Sequence, residues 1–373
     1  MLCTTSSSRG PEGPPPQMLL PRDRSDGVTV VIPVRNGERW LADVLDAILA
    51  QRGGRPFEVI VIDDGSEDGS RAILDARCVS PEVRVIDGPR RGAAAAINAG
   101  IRLARFPFIA QVDQDVVIEP GWLDTLLEVM ADDRVGAAQG YYRTDPRAPL
   151  TARVMGLDLE QRYAAIHGAD TDHVCTGNAV YRAAALHEVG LFDDTLGYGY
   201  DNDMSYRLAQ RGYRLVICRN AQSRHHWRAG LLPYLAQQYG FGYGRIDLVA
   251  QHRWRFRGDA VSPPEMMLHP VLMLAALCAV VAGALVGHVV VASVIAGLIV
   301  SGLLFERAVA GCRAAAAYRD PAGLAFPPLH LARDVAWTIA IVVWCARWIG
   351  SRPTRPAFSM RPRPSYLRAE PEE

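Results

Sequence analysis

Residues 269–305 constrain this chain more than any other segment. They run almost without a polar side chain for roughly 37 residues, where one bilayer crossing takes roughly 20. Two membrane helices reversing at Gly287-His288, at about residues 269–287 and 288–305, fit that length. A third apolar run, residues 335–346 between Asp334 and Arg347, is short for a crossing. Within a helix at about 329–349 it reads as interfacial or re-entrant rather than spanning. Arg307, Arg313 and Arg319 follow the second helix, and Arg347, Arg352, Arg355, Arg361, Arg363 and Arg368 follow the third. Basic flanks stay on the cytoplasmic side, so both clusters belong there. Two crossings plus one dipping helix satisfy that; three crossings put the second cluster outside.

The rest of the chain is of another kind, and the overall 49% hydrophobic content averages the two. Forty basic residues, all of them Arg, balance forty acidic ones to a net charge of +0, which excludes a whole-protein basic field for nucleic acid. Seven scattered Cys with no C-x-x-C pair argue against a disulfide framework or a zinc ribbon and fit a reducing compartment. Residues 1–26 lack the apolar core of a signal peptide; they are expected to form a disordered arm that stays where it is made. Residues 351–373 read as an Arg/Pro-rich tail on the cytoplasmic side.

From Gly27 to about residue 257 lies one α/β unit, with a boundary near Pro263-Pro264 before the membrane region at 258–350. Residues 28–33, 58–62, 83–86 and 108–112 are short β-branched runs, and residues 40–51, 70–77 and 93–104 have helical spacing between them. Strand and helix alternating at short intervals imply βαβ units on a parallel sheet, where ligands collect at the carboxyl ends of strands. Further helices are expected near 121–131, 150–167, 182–189 and 202–211.

Two acidic clusters lie at such strand ends. Asp113-Gln114-Asp115 can converge on one hard divalent cation, Mg2+ or Mn2+, whose remaining ligands are commonly substrate phosphates. Taken alone, a D-x-D triplet is more often a solvated loop. Asp63-Asp64-Gly65-Ser66 can accept hydrogen bonds from ribose or base, or can be an ordinary Asp-Gly turn. Asp201 stands at the start of a helix, where capping competes with a role as general base. His225-His226 is weak evidence for metal by itself; Gly240–Gly244 follows a helical stretch rather than a strand, so it fails as a phosphate loop and reads as a flexible or substrate-closing segment.

Together these residues form a familiar series. Val31-Ile-Pro-Val-Arg-Asn36, Val61-Ile-Asp-Asp-Gly-Ser66, Arg91-Gly92 with Asn98 and Gly100, Asp113-x-Asp115, Gly177-Asn178, and Tyr200-Asp201-x-Asp203 with Arg207 recur in the order and spacing of the family 2 glycosyltransferases, which residues 28–245 resemble. The resemblance implies a GT-A fold, a mixed and mostly parallel sheet flanked by helices, and inverting transfer from a nucleotide-diphosphate sugar. It places Pro33, Asn36 and Glu38 by the nucleotide, Asp63 or Asp64 on base or ribose, and Arg91 near the nucleotide or diphosphate. It makes Asp113 and Asp115 the metal motif, with Asp113 also beside the donor, and gives His225 a share in holding the metal, with His226 as the alternative. Gly177, Asn178 and Asp203 fall on the acceptor side, and Asp201 deprotonates the acceptor hydroxyl. Tyr200 stands where the family often has Glu, and the processive Q-x-x-R-W motif is missing from Gln237–Arg245, which favours transfer of a single sugar. The membrane tail is similar to that of bacterial succinoglycan-type transferases, implying a lipid-linked or glycan acceptor at the inner membrane with the catalytic domain cytoplasmic. A polyprenyl-phosphate glycosyltransferase and a catalytically silent nucleotide-sugar-binding scaffold are the other two readings.

Overall fold

The structure is a computed structural model and describes residues 26–350, so the expected arm and tail fall outside the described residues apart from Asp26. Strand β1 (Val28–Val34) is buried along its whole length, and its alternate residues reach two different cores. Val28, Val30, Ile32 and Val34 pack with Leu41, Val44, Leu45 and Ile48 of helix α1 (Leu41–Leu49), while Val31 faces Ile97 and Ile101 of α3 (Ala93–Leu103). A strand covered on both faces has no polar alternation to show, which is why it reads as a continuous apolar run.

β1 pairs in parallel with β2 (Phe57–Asp63), β2 with β3 (Val83–Asp87), and β1 on its other side with β4 (Phe108–Val112). Helix α2 (Ser70–Arg77) connects β2 to β3. The β1–β4 register ends at Val31↔Gln111, so Pro33 lies beyond the last paired residue on that side and its missing N–H breaks no bond to β4. The chain then adds β5 (Val116–Ile118), α4 (Trp122–Val129), β6 (Val135–Arg143), α5 (Leu150–Ala164), a two-residue β7 (Asp170–Thr171), β8 (Asn178–Arg182), α6 (Ala183–Glu188), α7 (Tyr200–Gln210) and β9 (Arg214–His225). The sheet order is β3-β2-β1-β4-β8-β6-β9-β5, with β7 on β9. β8 runs antiparallel between β4 and β6, so the parallel half gives way to a mixed half at the end of β4, beside Asp113.

Beyond β9, α8 (Leu231–Gln251) includes residues 240–244, which the sequence reads as a loop. Three glycines there are compatible with a helix because packing demands them. A Cβ on Gly240 would overlap the Tyr198 ring, one on Gly244 the Tyr198 backbone, and one on Gly242 the Trp337 backbone. Glycine weakens a helix by about 1 kcal/mol per residue, and here it lets the helix thread between two surfaces.

The last helices are α9 (Pro264–Leu285), α10 (Val289–Tyr318) and α11 (Phe326–Ile349). By length and composition three candidate spans are long and apolar enough to cross a membrane, the third covering Pro321–Ile349. Leu285, Val290, Leu298 and Phe305 on α9 and α10 are largely exposed, a surface suited to lipid. α11 is held differently. Its Trp337 and Trp344 indoles donate to Gln238 (3.2 Å) and Asp247 (2.8 Å) of α8, and Arg347 donates to the Tyr243 hydroxyl. Near its start Arg307 of α10, itself buried, pairs with Asp334 at 2.7 Å and contacts His269 of α9, tying the three helices at one level.

Candidate active site

Asp113 leaves β4 where the chain turns. Gln114, between the two aspartates, accepts from the Arg35 N–H at 2.8 Å and donates to the Arg35 carbonyl at 2.9 Å. The Asp113 N–H donates to the Gly177 carbonyl, and its carboxylate accepts from the Gln111 amide at 2.9 Å. Gly177 is required here: its φ is +98°, and an added Cβ would overlap Asp113 Oδ2. Burial, then the neighbouring Asp115 and Asp201 charges, push the Asp113 carboxyl up to about 7.

His225 ends β9 opposite this turn, with Nε2 3.7 Å from Asp115 Oδ1. Its ring stacks on Trp227 at 3.8 Å, its buried Nδ1 has no hydrogen-bond partner, and burial keeps its pKa below the ordinary imidazole value. A neutral imidazole beside two crowded carboxylates suits a divalent cation, so Asp113, Asp115 and His225 fit the ion that the resemblance implies. His226 is directed elsewhere, stacked flat on Trp40 at 3.7 Å.

Asp201 lies in the first turn of α7, but it is not the cap. Gly199, at φ +85°, occupies that position, and no side chain caps the helix. The Asp201 side chain remains about a quarter exposed, with Oδ2 3.5 Å from His173 Nε2. Burial opposes charge on His173, yet the Asp201 and Asp259 carboxylates outweigh it and raise the ring's pKa. His173 and Cys175 carried no signal in the sequence, because a loop brings them to Asp201 from about thirty residues away. The half-buried Cys175 accepts from the Tyr163 hydroxyl at 3.2 Å, and its thiol is pushed up to about 12 by the apolar surroundings.

One cavity of about 480 Å3 joins these groups. Asp113 and His225 line one part, Asp201, His173 and Tyr200 the middle, and Tyr198, Gln237 and Phe241 a wall supplied by the 190s loop and α8. Met266 of α9 and His330, Arg333 and Trp337 of α11 line the remainder. The cavity thus runs from the acidic turn to the membrane helices.

Several expected site residues have structural partners. Asp63 accepts from the Ser66 N–H (2.8 Å), and Asp64 from the N–H groups of Arg90 (2.6 Å) and Gly92 (2.8 Å), so both carboxylates shape the loops at the carboxyl end of β2. Asn36, at φ +54°, accepts from the Glu67 N–H, and Glu38 accepts from the Gly69 N–H, joining the β1 and β2 loops. Arg91 pairs with Asp194 at 2.9 Å. Asn178 is fully buried in β8 and accepts from the Trp122 indole at 2.6 Å. Asp203 is clamped between Arg207 (2.6 Å) and His252 (2.8 Å), partners that lower its pKa although burial works against them. Of the three residues expected on the acceptor side, Gly177 backs Asp113, while Asn178 and Asp203 brace the scaffold.

The glycosyl transferase family 2 pattern matches residues 29–190. The chain is 32% identical over 258 residues to the pre-mycofactocin glycosyltransferase of Mycobacterium tuberculosis, covering 67% of this chain and 51% of that protein. It is 26% identical over 236 residues to the succinoglycan biosynthesis protein ExoA of Rhizobium meliloti, covering 60% and 70%. The chain therefore spans about half the length of its mycobacterial relative. Among solved structures, a mannosyltransferase of Pyrobaculum calidifontis, determined with GDP-Man and Mn2+, superposes with a TM-score of 0.56 at 22% identity over 85% of this chain and 86% of that one, a likeness of fold. Through its α/β domain, the chain belongs to glycosyl transferase family 2.

Proposed function

We propose that this chain moves one sugar, with inversion, from a nucleotide-diphosphate donor to a membrane-associated acceptor in the building of cell-surface polysaccharide or glycolipid. The observation that carries the reading is the single cavity running from Asp113 past Asp201 to Met266, Arg333 and Trp337 of the membrane helices. A donor at the acidic end and an acceptor approaching from the membrane end would meet at Asp201.

Asp113, Asp115 and His225 would hold Mg2+ or Mn2+. Bound there, the ion supplies Lewis-acid stabilisation to the departing nucleoside diphosphate. Asp201 takes the proton of the acceptor hydroxyl as that oxygen attacks the anomeric carbon. The cavity walls on α8 and α11 hold the acceptor and limit water beside the sugar. The α9–α10 hairpin would cross the bacterial inner membrane with the catalytic domain cytoplasmic. The links from α11 to α8 support a third helix lying along the interface, consistent with both Arg clusters on one side.

The test uses washed membranes carrying the full chain, a panel of labelled nucleotide sugars with and without EDTA, and lipid extraction of the product. Label should enter the lipid fraction only with a divalent cation; Asp115→Ala should abolish it and Asp201→Asn should reduce it at least about a hundredfold. Full activity in both variants overturns the reading. Loss in Asp115→Ala alone instead indicates a phosphate acceptor that needs no base, and donor binding without turnover indicates a scaffold.

A further inference from the structure

The tightest set of metal-ligand atoms among the described residues is not the Asp113–Asp115 turn. One ligand atom each from His173, Cys175 and Asp201 lie within 4.8 Å of one another. His173 is only 4% exposed; its Nε2 faces the Asp201 carboxylate at 3.5 Å, while its buried Nδ1 has no hydrogen-bond partner. A buried ring nitrogen without a partner is unfavourable, and a ligand can relieve it. All three side chains line the active-site cavity, which leaves room for a fourth ligand from solvent.

The donor set differs in kind from that of the acidic turn. Imidazole nitrogen and thiolate sulfur, two of the three donors, favour zinc, which also accepts a carboxylate oxygen, whereas Mg2+ and Mn2+ prefer an all-oxygen set. Tetrahedral zinc with bonds of about 2.0–2.3 Å holds its ligand atoms about 3.4–3.7 Å apart, so the set must close by about 1 Å. Rotation of side chains that face an open cavity supplies that closure.

We infer that His173, Cys175 and Asp201 form a second cation site, selective for Zn2+ over Mg2+ and Mn2+, whose occupation stops transfer by engaging the general-base carboxylate. Binding expels the thiol proton to solvent and leaves a water as the fourth ligand. The inhibitory effect rests on the role proposed for Asp201; the binding itself does not.

The experiment takes the full chain in detergent, stripped with chelator and then held in excess Mg2+, and titrates it with Co2+ as a spectroscopic stand-in for zinc. The expected result is a thiolate-to-cobalt absorption band that saturates at one ion per chain and is bleached by Zn2+. Cys175→Ala and His173→Gln should each lose it; the second variant keeps the Tyr163–Cys175 contact and so controls for misfolding. In parallel, Zn2+ should inhibit lipid labelling, and Cys175→Ala, measured against its own zinc-free rate, should need at least tenfold more zinc for half-inhibition. Absence of the band in the native chain, or an unchanged band and unchanged inhibition in Cys175→Ala, overturns the inference. A band that behaves as expected in a chain that labels no lipid leaves the zinc site standing and removes the proposed function.

Discussion

Adding one methyl group to α8 should have opposite effects to adding one to α10, and the contrast tests how the catalytic and membrane parts are joined. In an exposed helix, Gly→Ala stabilises by about 1 kcal/mol. At Gly244 the new Cβ would meet the Tyr198 Cβ at 2.7 Å, its carbonyl oxygen at 2.8 Å and its carbonyl carbon at 3.1 Å. Those atoms belong to or adjoin the backbone, so they cannot swing aside and α8 must shift. Overpacking of that kind costs about 1–3 kcal/mol, leaving Gly244→Ala with a net loss of roughly 0–2 kcal/mol after the propensity gain. At Gly297 of α10 nothing lies within 4 Å of the added carbon, and only the gain remains. Thermal unfolding in detergent should lower the midpoint of Gly244→Ala and hold or raise that of Gly297→Ala, at roughly 2–4 °C per kcal/mol for a domain of this size. Gly240→Ala lies between, because its Cβ meets the end of the Tyr198 ring, and Tyr198→Ala should relieve it but not Gly244→Ala. Because Gln237 and Phe241 of the same helix line the cavity, Gly244→Ala should also lower lipid transfer relative to donor hydrolysis. A midpoint for Gly244→Ala that rises as much as that of Gly297→Ala would refute the docking argument.

Three further outcomes follow from the site. Burial and the neighbouring carboxylates push the Asp113 carboxyl up to about 7, so without divalent cation the native state binds a proton that the unfolded chain gives up, and stability falls as pH rises from about 4 through 7. Thermal scans in EDTA should show that fall, Mn2+ should reverse it at pH 8, and Asp113→Asn should flatten it. His225→Ala should weaken the apparent Mn2+ dependence of donor turnover, while His226→Ala, which loses only a ring stack on Trp40, should leave the metal titration unchanged. Asp201→Asn should lower transfer about 10²–10⁴-fold, the usual worth of a positioned proton acceptor, with donor binding by equilibrium dialysis preserved.

The parallel half of the sheet was legible because β1, β2 and β4 are apolar and β-branched, and each has a helix covering it. β9 was not: its residues 214–225 include Arg, Asn, Gln and Ser, and the strand alternates between burial and exposure without a clean period. The carboxylates at strand ends were readable as candidates, yet chemistry alone could not separate Asp64, which fastens a loop, from Asp113, which faces the cavity. The adjacent histidines were equivalent in sequence and are separated by the aromatic ring that each one meets. The glycines of α8 misled because local propensity argues for a loop, while packing against Tyr198 and Trp337, remote in sequence, requires a helix with no side chains on those faces.

Met266, His330, Arg333 and Trp337 give the reaction chamber its far wall. The usual route to a soluble version of such a protein, cutting the chain after residue 257, would therefore remove more than an anchor. What remained would be an open bowl, in which, under the proposed function, bulk water would compete with the acceptor for the activated sugar. A truncated preparation that only hydrolyses its donor would reflect the missing wall and would say little about which acceptor the intact protein serves.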